Sequence, residues 1–147
     1  MPGKLFFLTI LALGGTFVAP SAHATTMSPL TLEQMTDASD LVVRATVTQV
    51  WSERDARGNI RTRAQLEVVS FLKGTGNRAV VVEQVGGVLF GEQEVIPMAA
   101  RFSVGEDGVF FLEEMDSDRI SVVGWSQGKF TVQLNLRRKL QALGFRV

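Results

Sequence analysis

The spacing of apolar residues changes three times along this chain, and each change marks a different kind of segment. Residues 5–18 are an almost unbroken apolar run with no period. Residues 30–40 carry the signals of a helix start. From residue 41 apolar and polar positions alternate, the period-two pattern of half-buried strands. Beyond residue 135 the period returns to that of a helix.

The alternating region is the longest. Val43, Ala45 and Val47 fall on one face of a strand over residues 41–51, and Arg44, Thr46 and Thr48 on the other. Residues 52–59 form a charged loop with Arg57-Gly58-Asn59 as its turn. The next strand, 61–72, sets Arg61, Arg63, Gln65 and Glu67 at odd positions, then Val69 and Phe71 at the same parity. Alternation therefore slips by one between Val68 and Val69, which predicts a bulge or sharp bend. Residues 73–77 are a turn and 79–85 a nearly all-apolar strand. Gly86-Gly87 ends it ahead of an irregular hairpin over 88–97. Shorter strands are predicted over 109–112, 120–125 and 129–134.

Two short helices frame this region. Thr31 caps the first, Gln34 completes a capping box, and Leu30 staples against Met35. That helix stops near Ser39-Asp40 and is expected to plug one end of a sheet. Leu136, Leu140 and Leu143 lie at helical spacing between a capping Asn135 and Gly144. Six to seven short strands with frequent turns make the chain all-β, a small antiparallel barrel or sandwich.

The leading apolar run reads as part of a secretory signal peptide, residues 1–24. Lys4 supplies the positive start and Ala22-His23-Ala24 the cleavage site. The run is shorter than the ~20 residues of a comfortable membrane span. Residues 25–147 are then one domain, secreted or periplasmic, with no stable membrane anchor after cleavage. Cleavage removes the chain's one histidine, and there is no cysteine anywhere. Ser–His and Cys–His catalysis and Cys/His zinc sites drop out together. Ser70-x-x-Lys73 has the letters of a serine–lysine motif, but it sits at a strand end and not at a helix start.

Charge is balanced, fifteen basic against fifteen acidic residues, so nothing draws the protein toward nucleic acid. Arg137-Arg138-Lys139 reads as a solvated helix face. Glu113, Glu114, Asp116 and Asp118 crowd one hairpin and read as a charged turn or, alternatively, as an oxygen cage for a divalent cation. Trp51 and Trp125 read either as plugs at strand ends or as exposed recognition residues. No phosphate loop and no cofactor motif is present.

Three stretches taken in order carry a resemblance. They are the run from Ala38-Ser39-Asp40 into Leu41-Val42-Val43, the strand ending Phe71-Leu72-Lys73-Gly74, and Phe102-x-x-Gly105-Glu106 leading to Val109-Phe110-Phe111-Leu112. The succession is similar to the netrin-like and tissue-inhibitor-of-metalloproteinase group. It also resembles bacterial exported proteins with Gly-Gly and Gln-Gly-Lys-Phe segments, here Gly86-Gly87 and 127–130. The resemblance implies an OB-like barrel. It carries no inhibitory mechanism, because the metalloproteinase inhibitors use an N-terminal cysteine that this chain lacks.

The expectation is a non-enzymatic binding or accessory module for another exported or envelope protein. Its contact surface is assigned to Trp51, Arg54, Arg57, Phe90 and Trp125. A small carboxylate- or metal-dependent enzyme is the alternative. A further alternative is self-association through an exposed edge at residues 79–85.

Overall fold

Alternation from residue 41 onward becomes strand almost wherever it was read. The computed structural model describes residues 27–116 and 119–132. The leader 1–24 and the C-terminal helix expected after residue 135 lie outside the described residues. One helix, α1 (Leu32–Ala38), precedes eight strands. The strands are β1 (Leu41–Arg54), β2 (Ile60–Lys73), β3 (Ala79–Val85), β4 (Gly87–Leu89), β5 (Glu92–Glu94), β6 (Asp107–Asp116), β7 (Arg119–Val122) and β8 (Lys129–Thr131).

Six of these strands form one sheet in the order β1-β2-β3-β7-β6-β8, and β1 also pairs with β6. The pairings β1–β2–β3–β7–β6 thus return to the strand from which they start. β4 and β5 make a separate two-stranded ribbon. The antiparallel expectation holds for every pairing but one: β3 and β7 run parallel and meet at Val82 and Ile120. β3 pairs with β2 along its whole length and meets β7 on its other side at Val82, so the 79–85 edge is covered at that position.

The in-facing residues explain the sheet. Val43, Ala45 and Val47 of β1, Ala64, Leu66 and Val68 of β2, Val82 of β3, Phe110 and Leu112 of β6 and Val122 of β7 pack into one buried cluster. Removing this much apolar surface from water is the main force holding the sheet together. Register breaks keep the faces correct. Ala45 pairs with Val68 while Arg44 pairs with Ser70, so Val69 is the extra residue of a bulge and turns outward. That is the slip read from the sequence, and it returns Phe71 to the core side. A second slip at Thr48 puts Val50 inward and leaves Trp51 and Glu53 outward.

That second slip lengthens the first hairpin. The loop expected over 52–59 shrinks to a turn between Arg54 and Ile60, because Trp51↔Arg63 and Glu53↔Arg61 continue the ladder. The helix keeps its predicted capping box and ends at Ser39. Met35 packs with Val42, Phe111 and Val123 in a second buried cluster, with Leu30 against it. α1 therefore covers the outer side of β1 and β6, where the expectation had it plug an end. The Lys73 ammonium holds its C-terminus by donating to the carbonyls of Thr36 and Ser39, each at 2.6 Å.

Candidate binding surface

Asp55 organises the tip of the β1–β2 hairpin. Its Oδ1 accepts the backbone N–H of Arg57 and of Asn59, both at 2.9 Å, and its Oδ2 accepts Arg61 Nε at 3.0 Å. Desolvation pushes the Asp55 pKa upward, but hydrogen bonds from Asn59, Arg61 and Arg57 outweigh it and bring the group down to about 2. Arg54 then ties this tip to the ribbon. It donates to the Gly58 carbonyl at 2.7 Å and to Glu92 at 2.5 Å, while Glu94 accepts the Ile60 N–H at 3.0 Å.

The ribbon so anchored presents Phe90 at its two-residue turn. Phe90 has φ 50 and Gly91 φ 86, positive at both positions as a tight hairpin demands. Glycine meets that demand freely, whereas phenylalanine is strained by it. The Phe90 side chain is nonetheless 98% exposed, with Val88 and Val95 exposed near it. A ring placed in water on a strained backbone gains the fold nothing. A cavity of about 330 Å³ lies between ribbon and sheet, lined by Ser52, Thr62, Glu94 and Phe102 among others.

Outward-facing charges link the hairpin to the far side of β3. Arg63 bridges Glu53 and Glu83, each at 3.1 Å, and Arg61 bridges Asp55 at 3.0 Å and Glu83 at 4.0 Å. Alternation on β2 places both arginines on one face, and the register sets Glu83 opposite Arg63. The row ends at a cavity of about 260 Å³ where β3 and β7 diverge, lined by Arg61, Glu83, Glu113, Arg119, Ile120 and Trp125 among others. Desolvation by burial raises the Glu113 pKa above the ordinary carboxylate value, and the nearby Asp40 charge adds to it. Trp125 follows Gly124 in the loop after β7, with φ 64, and is 42% exposed.

Arg54 and Phe90 thus share one rigid end of the molecule. Trp51 is half-buried on the outer face of β1, its indole N–H donating to Glu53 at 3.3 Å, and so adjoins the charge row. Arg57 is exposed at the hairpin tip. Trp125 stands apart at the cavity. Arg61, Glu83 and Glu92 were not singled out as site residues from the sequence, and Glu113 was read only as one of four carboxylates in the acidic run. The first two carried a signal, polar residues at strand spacing within otherwise apolar strands; Glu113 carried none beyond the acidic run.

The acidic run itself does not converge. Glu113 lines the cavity, Glu114 as the next strand residue faces the opposite way, and Asp116 pairs with Arg119 at 2.5 Å. Asp118 lies outside the described residues. Among the described residues no three Asp, Glu, His or Cys side chains are grouped to hold a metal ion. Also among the described residues, no helix is long and apolar enough to cross a membrane. Comparison of the chain with protein-family models and with curated proteins finds no match.

Proposed function

We propose that this protein is an exported, non-enzymatic binding module that grips another exported or envelope protein with the ribbon end of an OB-like barrel. The observation that carries the reading is Phe90, an almost wholly exposed ring held on a strained turn by the Arg54–Glu92 and Ile60–Glu94 bonds. Aromatic anchors on rigid supports supply most of the binding energy at protein interfaces. Exposed Val88 and Val95 extend the apolar patch, and Arg54 and Arg57 give it a charged rim. The barrel reading is supported by the pairing cycle through β1 and by the single parallel seam. Export rests on the leader composition of residues 1–24.

A photo-crosslinking residue at position 90 tests this in the protein's own cell envelope and medium. One reproducible adduct, absent when the crosslinker is moved to exposed Glu67, is the expected result. Equal labelling from both positions, or none from position 90, overturns it.

A further inference from the structure

The cavity between β3 and β7 contains a charge that the fold does not use. Glu113 is partly buried, and among the described residues no donor hydrogen-bonds to its carboxylate and no cation pairs with it. The charge that acts on it is Asp40, of the same sign. Removing water from a carboxylate and setting it beside another costs stability unless a partner compensates. The cations that line the cavity, Arg61 and Arg119, are already paired with other carboxylates. Arg61 is on Asp55 and Glu83, and Arg119 is doubly bonded to Asp116.

We propose that this cavity binds an organic cation, a guanidinium or alkylammonium group, held by the Glu113 carboxylate and the Trp125 ring. Three further observations fit that class. Trp125 is kept at the cavity on a left-handed backbone, and Gly124 before it is also at positive φ, where a side chain would be strained and would have to displace the tip of Leu30. Indole faces attract weakly hydrated cations more strongly than other side-chain rings do. Val85, Met115 and Ile120 give the cavity apolar walls for an alkyl stem. Its volume of about 260 Å³ suits one cationic head with a short chain. A hard divalent ion wants about six oxygens or more, which two carboxylates beside an indole and an aliphatic wall do not offer, the more so because Glu83 is already paired with Arg61 and Arg63. The site is separate from the ribbon, so it stands whether or not Phe90 meets a protein.

Titration of propylguanidinium and of acetyl-arginine-amide, followed by calorimetry and by Trp125 fluorescence in a Trp51→Phe background, tests the assignment. At least one of the two is expected to bind with Kd below about 1 mM, and neutral propylurea is not. Glu113→Gln weakens binding at least ~tenfold and Trp125→Leu weakens it several-fold. Binding of propylguanidinium alone identifies a small free cation. Binding that needs the peptide amide identifies an arginine of a partner chain, and both uphold the site. Glu113→Gln keeps the shape and relieves the unpaired charge, so its melting temperature equals or exceeds that of the parent. Undiminished cation binding by that folded variant, or no binding of either cation at about 10 mM, overturns the proposal.

Discussion

The ribbon end and the β3–β7 cavity solve opposite problems with the same few residue types. At the ribbon, charge is matched and apolar surface is not: Arg54 meets Glu92 and Asp55 is fully bonded, while Phe90 stands in water. At the cavity, apolar surface is recessed and charge is not matched, since Glu113 faces Asp40 without a cation. A convex apolar tip suits a partner that brings its own pocket. A concave site with a spare carboxylate suits a ligand small enough to enter. Both regions also share a strained aromatic, Phe90 and Trp125, the two non-glycine residues with positive φ among those described. Strain that recurs at two exposed aromatics is better explained by what they touch than by the fold.

The comparison breaks most completely if the common core is removed. Phe110 is fully buried and stacks on Phe102 with ring centroids 6.3 Å apart. Phe110→Ala is expected to cost about 3–5 kcal/mol and to abolish both sites together, read by denaturant unfolding. Lys129→Met separates the two. Lys129 bonds Glu106 at 2.7 Å with both side chains nearly buried, donates to the Arg101 carbonyl, and lies over the Phe102 ring. Desolvation opposes ionisation of Glu106, yet the Lys129 and Thr131 hydrogen bonds outweigh it and hold its pKa low. Breaking the pair leaves that carboxylate stranded, at a cost of about 2–3 kcal/mol. It also loosens Arg101 and Phe102, which line the cavity under the ribbon, so Phe90 crosslinking is expected to weaken while cation binding persists.

Phe90→Ala sharpens the contrast at the ribbon itself. Stability is expected to change by less than about 0.5 kcal/mol, because the ring has almost nothing to lose. Partner affinity should fall by about 2 kcal/mol or more if the ring is the anchor. A large drop in melting temperature instead would make Phe90 structural.

The smallest effects are in pH, and they have opposite signs. Asp55 is held down to about 2 in the fold, so its contribution is present above the unfolded carboxylate value and is lost as pH falls toward about 2. Amide exchange at residues 55–59 should accelerate over that window. Glu113 is raised in the fold, so the folded state holds that proton more tightly and this group's destabilisation appears as pH rises through the carboxylate range. Stability of the parent should therefore decline relative to Glu113→Gln as pH rises from 4 to 7, about the window set by an ordinary carboxylate.

The strands themselves were legible because burial on one face imposes a parity that local residues must obey. Val43, Ala45 and Val47 state it, and the break at Val69 states where it changes. Helix α1 was legible from its cap. The extension of the first hairpin was not, since Ser52, Glu53 and Arg54 resemble loop residues until Arg61 and Arg63 are set across from them. Of the candidate surface, Arg54 and Phe90 were readable as a charged and an aromatic residue near turns. Their convergence depended on Glu92, 38 positions further along the chain, folding back to one salt bridge with Arg54.

Sequence alone determined period, caps, turns and the chemistry that is missing, because each of those is a property of a few adjacent residues. Only the tertiary structure decided that β3 lies between β2 and β7, that their seam is parallel, and that the acidic run splits between two faces. Those outcomes depend on which distant strand supplies the neighbour. A carboxylate's charge is written in the chain, but whether it is paired is set by what folding brings to within about 4 Å of it.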